Sequence, residues 1–423
     1  MQISSLRWLW QVGVAAALLF ATGCARSLRP IPSPNSTPLP IASVTTITAQ
    51  VPAPMFSTPT ATPVNKVAFG IDVNIHDNNI GPANVNRVLQ LMHQAGATYV
   101  RIGGGWGEAE PAPGQYDWRV FDRVIQLAHA NQLNVLLEVG GDTPTWDLPP
   151  NADTHGGLVD YAPADCTGAD AQHETDCRAF GEYIDALVRH VAPLGVQYLI
   201  VRNEPQNFPK NWIGGTADEF AQFIAVAHAA AHAADPNIKI LNGGTEILPD
   251  ALAQIIAKYS AHLALVKQSY AFTQSLYSNP KWCDNLDVLD VHLGDHGPIY
   301  SPQIVDLSEQ ALQKCNGGKF VPVWATEIGY SSFTQVQQLP ELMAELGDRY
   351  TNGDAAQSQY LAETYAALAR DSNLSGVNWT FLVDPPYSGD PRQDGAGLGL
   401  LDENYNAKPS FATFQRVVRG TGG

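Results

Sequence analysis

A chain of 423 residues, 45% of them hydrophobic, is long enough to bury one large core or two to three smaller ones. Its 24 Lys and Arg stand against 41 Asp and Glu, a formal net charge of −17. That field repels nucleic acid and anionic membrane surfaces and is indifferent to neutral polysaccharide, so charge excludes partners without choosing one.

At the start of the chain Arg7 precedes the apolar run Val12 to Phe20, and small residues lead to Cys24 in Ala21-Thr22-Gly23-Cys24. One basic residue, a short apolar stretch and small residues describe an export signal over residues 1–23, because a spanning helix needs about 20 apolar residues. The ending resembles the lipobox of bacterial lipoproteins. That resemblance implies a lipidated Cys24 and an extracytoplasmic protein, at the cell surface or in the periplasm, held to a membrane only by its lipid. Ala21 stands where Leu is more usual in that motif, so cleavage at another site is the alternative. Residues 24–65 are rich in Pro, Ser and Thr and bury too little to fold; they read as an extended tether.

The folded unit is expected over 66–423. Strand patterns begin near Val67, Thr98, Asn134, Gln197, Asn237, Leu286, Phe320 and Gly376. Helical patterns lie between them at Val85 to Gln94, Trp118 to Ala130, Cys177 to Ala192, Ala217 to Ala234 and Ala355 to Arg370, with a last one at Ser410 to Arg419. Eight strands alternating with helices predict an α/β fold of the (β/α)8 TIM-barrel type, a single domain with loop insertions, rather than an open doubly wound sheet. The turn from Asp72 to Pro82 has no glycine-rich phosphate fingerprint, and Gly103-Gly104-Gly105 followed by Trp106-Gly107-Glu108 reads as a rim loop. Insertions are expected at Asp142 to Thr175, where Trp146 offers a ring for a sugar, and around Lys258 to Cys283.

Beyond Cys24, the cysteines are Cys166, Cys177, Cys283 and Cys315, an even number that in an exported chain predicts disulfides. Three pairings exist, of which 166 with 177 and 283 with 315 would each staple one long loop. No Cys-x-x-Cys spacing suggests zinc. His228 and His232 stand four apart on a helix, but nothing resembles His-Glu-x-x-His, and no metal is expected there.

Two motifs carry the chemistry. Tyr198-Leu199-Ile200-Val201-Arg202-Asn203-Glu204-Pro205 and Val321-Pro322-Val323-Trp324-Ala325-Thr326-Glu327-Ile328-Gly329 each close an apolar run on a Glu that passes into Pro or Gly. A parallel barrel strand delivers an acid to its C-terminal rim in this way. Arg101, inside the apolar Val100-Arg101-Ile102, needs a buried anion, and Glu327 would supply it. Glu138 and Glu246 also close apolar runs and rank as cleft residues.

In these motifs the chain resembles clan A of the retaining glycoside hydrolases, nearest to family 39 xylosidase-like and family 5 cellulase-like members. Glu110-Pro111-Ala112-Pro113-Gly114-Gln115-Tyr116-Asp117-Trp118 and the ending Gly399 to Pro409 match further segments of those enzymes, so the likeness runs from about Lys66 to Val418. It implies Glu204 as acid/base, Glu327 as nucleophile, Asn203 on the sugar 2-hydroxyl and Trp379 as an apolar floor under the cleaved sugar. His292 would position Glu327 or a sugar hydroxyl. The clan's His-x-Tyr on strand six is not repeated in His292-Leu293-Gly294-Asp295-His296, where Tyr330 or Tyr300 would have to substitute. Cleavage of a β-linked carbohydrate by a monomer without cofactor is the expectation. The alternative is a degenerate barrel or surface lipoprotein that binds glycans without cutting them.

Overall fold

The computed structural model describes residues 67–73, 84–153, 160–168, 176–207, 211–259, 263–333, 350, 353–370, 373–387 and 395–420. The export signal 1–23, the lipidation site Cys24 and the tether 24–65 lie outside the described residues. Eight strands form one sheet: β1 (Ala68–Val73), β2 (Tyr99–Gly105), β3 (Asn134–Gly141), β4 (Tyr198–Val201), β5 (Lys239–Leu241), β6 (Leu289–Gly294), β7 (Val323–Ile328) and β8 (Leu374–Trp379). Every pairing is parallel and the order is β5-β4-β3-β2-β1-β8-β7-β6. A parallel bridge between Leu241 and Val288 brings β6 back to β5. The sheet therefore closes on itself as a (β/α)8 barrel.

Strands buried on both faces need continuous apolar runs, and β7 is buried at all six positions. Within the barrel Leu136, Ile200, Leu241, Val288 and Trp324 form a separate plug, with Tyr99 and Tyr198 set edge-on to the Trp324 ring at 5.0 and 5.3 Å. Gly376 on β8 makes room for that indole, since a Cβ there would overlap the ring.

Helices α1 (Val85–Ala95), α2 (Trp106–Ala109), α3 (Arg119–Ala130), α4 (Arg178–Val191), α5 (Ala217–Ala234), α6 (Asp250–Tyr259), α7 (Leu263–Leu276), α8 (Pro280–Cys283), α9 (Gly297–Cys315), α10 (Asp354–Leu368) and α11 (Pro409–Gly420) alternate with the strands. Each long one buries a stripe at helical spacing; in α4 it is Phe180, Tyr183, Ile184, Leu187, Val188 and Val191. A capping box between Thr216 and Glu219 fixes the start of α5. One expectation changes. Gly103–Gly105 belong to β2, and Trp106 opens a one-turn helix where a loop was expected. The region around Lys258 to Cys283 is largely helical, as α6, α7 and α8.

The cysteines pair locally. Cys166–Cys177 ties the loop after β3 to the start of α4, with Cα atoms 4.4 Å apart, and Cys283–Cys315 joins the ends of α8 and α9 at 5.9 Å. Among the described residues no helix is long and apolar enough to cross a membrane.

Candidate active site

Six strands contribute to one polar cluster: Asp72 near the end of β1, Arg101 and Glu138 from within β2 and β3, Asn203 and Glu204 just past β4, His292 from β6 and Glu327 near the end of β7. All but Glu138 and Asn203 are buried. Of the residues expected from sequence, the structure brings together Glu204, Glu327, Asn203, Arg101 and His292.

Arg101 is the hub. Its Nη1 donates to Glu327 Oε1 and to Asp72 Oδ2 at 3.2 Å. Its Nη2 donates to Glu138 Oε2 at 2.8 Å and to Asn203 Oδ1 at 2.6 Å. Burial opposes the guanidinium charge, but Glu327, Glu138 and Asp72 outweigh it and hold Arg101 well above its ordinary range. Burial raises Asp72 to about 7 despite Arg101, and raises Glu138 as well. Glu327 moves the other way: burial works against its charge, while His292 and Arg101 together keep its carboxyl below the ordinary value. Glu327 is thereby held as an anion.

His292 stands between the two acids. Its Nδ1 lies 2.7 Å from Glu204 Oε1 and 3.6 Å from Glu327 Oε2. Its Nε2 lies 3.1 Å from Thr326 Oγ1, which donates to Asp290 Oδ1 at 2.5 Å. The hydroxyl has one proton and spends it on Asp290, so Nε2 must donate to Thr326. With Nδ1 donating to Glu204, both ring nitrogens carry protons. The charge balance agrees: burial disfavours the imidazolium, yet Glu327 and Glu204 raise it to about 10. Asp290, raised by burial to about 6, is fixed by its own backbone N–H donating to Asn242 Oδ1 at 2.6 Å.

The backbone that presents Glu204 is unusual. Arg202 and Glu204 have φ of 64° and 41°, a left-handed conformation that costs about 1–3 kcal/mol for such residues and is held by its surroundings. The Glu204 N–H donates to Gly243 O at 2.7 Å. Arg202, 1% exposed, ties the strand end to β3 and to the loops on either side: Nη1 donates to Gly140 O of β3 at 2.5 Å, Nη2 to Tyr161 O in the loop after β3 at 3.3 Å, and Nε to Asn211 O in the loop after β4 at 2.7 Å. Asn207 Nδ2 donates to Glu204 Oε2 at 3.2 Å. Gly244, with φ of 76°, lies against His292, and a Cβ there would overlap the imidazole ring.

The other expected residues are held as follows. Trp379 and Tyr330 are both 0% exposed. Trp379 Nε1 donates to Leu398 O at 2.9 Å, and the Tyr330 ring stacks on Tyr360 at 4.8 Å and meets Tyr350 edge-on. Neither ring has exposed surface in this structure. Trp146 is half-buried, tied through Nε1 to Glu110 O at 2.9 Å and packed edge-on to Trp106, so its ring is not loose. Tyr300 sits half-buried in the first turn of α9. Glu246, five residues past β5, is half-buried with Oε2 enclosed and unpartnered; burial and the Glu204 charge raise it to about 8. Asp72, Asp290, Thr326, Arg202 and Gly244 were not singled out from sequence. Asp72 interrupts the apolar run from Phe69 to Val73 just as Arg101 interrupts its own, and that signal was there to be read.

A family model described as β-galactosidase, of glycoside hydrolase family 42, matches residues 78–155. No curated protein matches the sequence. Solved structures do. A family 39 glycoside hydrolase from the gut symbiont Bacteroides cellulosilyticus is 18% identical, with 84% of this chain and 64% of that one covered and a TM-score of 0.56. A GH5_18 protein from Bifidobacterium longum subsp. longum is 17% identical, covering 84% and 79%, with a TM-score of 0.58. A GH39 β-xylosidase from Caulobacter crescentus is 17% identical, covering 83% and 71%, with a TM-score of 0.55. The chain thus spans less than two thirds, 64%, of the length of the Bacteroides cellulosilyticus structure. These likenesses establish the (β/α)8 fold, and they are likenesses to glycoside hydrolases of families 39 and 5, joined by the family 42 match over 78–155.

Proposed function

We propose that the protein hydrolyses β-linked glycosides by double displacement, with Glu327 as nucleophile and Glu204 as acid and then base. One observation carries the reading: Glu204, His292 and Glu327, from three different strand ends, place one side-chain donor atom each within 4.8 Å of the others. Carboxyl groups about 5–5.5 Å apart suit a covalent intermediate, whereas inversion needs about 6.5–9.5 Å to seat a water. The close approach supports retention.

In the first step a Glu327 oxygen attacks the anomeric carbon, the bond to the leaving oxygen breaks, and Glu204 gives that oxygen a proton. In the second step Glu204 takes a proton from water, the water oxygen attacks the same carbon, and Glu327 leaves. Asn203, whose amide oxygen is occupied by Arg101, has its amide N–H groups to donate to a sugar hydroxyl. The segment 1–23 and Cys24 support a lipid-anchored protein outside the cytoplasm; Cys24→Ser would then release the protein from membranes into the soluble fraction.

The test is hydrolysis of a panel of aryl β-xylosides, mannosides, galactosides and glucosides by the full-length protein and its Glu327→Gln variant, with the first-released anomer read by proton NMR. Hydrolysis of one substrate with a β first product, lost in the variant, supports the reading. An α first product would refute retention. A folded protein inert on every substrate, with glycan binding intact, would favour carbohydrate capture instead.

A further inference from the structure

The two catalytic carboxylates do not exhaust the side-chain clusters of this fold. On the outer helix α5, His228 and His232 stand one turn apart with ring centroids 4.0 Å from each other. Helical spacing alone makes no site. What the fold adds is Asp287, delivered from the segment just ahead of β6. Its Oδ2 lies 2.9 Å from His232 Nε2 and 3.8 Å from His228 Nε2. Donors bound tetrahedrally at about 2.0–2.1 Å from one ion stand about 3.3–3.4 Å apart, and these separations bracket that value.

We infer that His228, His232 and Asp287 form a binding site for a zinc-class divalent transition ion, at the opposite end of the barrel from Glu204 and Glu327. Two imidazoles and one carboxylate are a donor set that such ions favour over calcium or magnesium, and the half-buried position leaves a fourth place for water. The carboxylate is already oriented, because the Ile240 N–H donates to Asp287 Oδ2 at 3.0 Å. Lys239 Nζ stands 3.7 Å from the other oxygen, Oδ1, and Lys319 also faces His228, so two cations oppose the ion and limit its affinity.

The location gives the site a purpose. β5 and β6 meet through one parallel bridge, Leu241 to Val288, with Asp287 and Val288 N–H groups donating to Ile240 O. This is the seam where the barrel closes, and an ion held between α5 and Asp287 would clip it.

The full-length protein, without a histidine tag and stripped with EDTA, is titrated with zinc chloride by calorimetry and melted with and without the ion. One ion per chain is expected, with a rise in Tm of about 2–5 °C. His228→Ala and Asp287→Asn should each weaken binding at least about tenfold. Glu327→Gln should bind as the unaltered protein does, which separates this site from the Glu204–His292–Glu327 cluster. Cobalt in the unaltered protein should show the visible bands of a tetrahedral N/O site, a reading that holds even if a variant folds poorly. No heat and no Tm shift at excess metal would overturn the inference. So would binding that survives both substitutions, or binding lost in Glu327→Gln.

Discussion

His292 Nδ1 lies 2.7 Å from Glu204 Oε1 and 3.6 Å from Glu327 Oε2, so a single imidazolium is shared by the two carboxylates that face the cleft. Its charge is one of the two forces that hold Glu327 ionised. Replacing it with a neutral amide removes that force and leaves two acids facing each other. His292→Gln is expected to lower kcat/KM by about 10²-fold and to shift the acid limb of the pH profile upward, because Glu327 then takes up a proton at higher pH. The profile separates this from simple damage: loss of amplitude with an unmoved acid limb would count against the electrostatic role.

Arg101 has four acceptors on two nitrogens, and only a planar guanidinium can serve Asp72, Glu327, Glu138 and Asn203 together. Arg101→Lys keeps the charge and loses the fork. Activity should fall by about 10²–10³-fold, since both Glu327, the proposed nucleophile, and Asn203 lose their fixed positions. Arg101→Met should in addition cost about 3–5 kcal/mol of stability, as buried carboxylates are left without their cation. Urea midpoints and kcat measured side by side decide the matter; a Lys variant with normal kcat would refute the positioning argument.

The barrel was legible because each strand is a short β-rich apolar run and each matching helix keeps a 3.6-residue stripe. The acids were legible because Asn203-Glu204-Pro205 and Thr326-Glu327-Ile328-Gly329 end such runs in a way that has no packing explanation. What escaped was of two kinds. Helix α9 carries Pro302 inside it, and α6 and α7 follow β5 without a strand between them, so the strand-helix rhythm was hidden there. The supporting shell was hidden for another reason. Thr326 and Asp290 matter only because β6 and β7 set them beside His292, and Gly244 matters only because the imidazole occupies the place of its missing Cβ. Such roles are properties of register, and no short motif spells them.

Stability should fall as pH rises from mildly acid to alkaline. Asp72 and Asp290 hold their protons to about 7 and about 6 in the folded protein, against about 4 when unfolded. Their contribution is full below about 4 and is lost as pH rises through the folded values. His292, raised to about 10 from about 6.5, contributes fully below 6.5 and loses that contribution up to about 10. Glu327, held low, has the opposite sign and loses its contribution only as pH falls below about 4.5. A maximum between about pH 4 and 6 follows, with Tm lower by at least about 3 °C at pH 9 than at pH 5. Calorimetric melts across that range test it, and a Tm that is flat or rising from pH 5 to 9 would contradict the charge assignment.

The division of labour between the carboxylates can be read from a chemical rescue. Glu204 is held by His292 and Asn207, and its proposed task is to move protons on and off oxygen. Glu204→Ala should therefore cost about 10²–10⁴-fold on a glycoside whose leaving group needs a proton. With a 2,4-dinitrophenyl glycoside the leaving group departs unaided, so Glu327 is still glycosylated, and the reaction should stall afterwards with a burst of released phenolate. Azide, an anion that needs no general base, can then attack the anomeric carbon from the face that water would use. The expected product is the β-glycosyl azide, formed with the overall rate restored. An α-azide would mean that no intermediate forms on Glu327. A rate indifferent to azide would mean that Glu204 is not the residue that activates water.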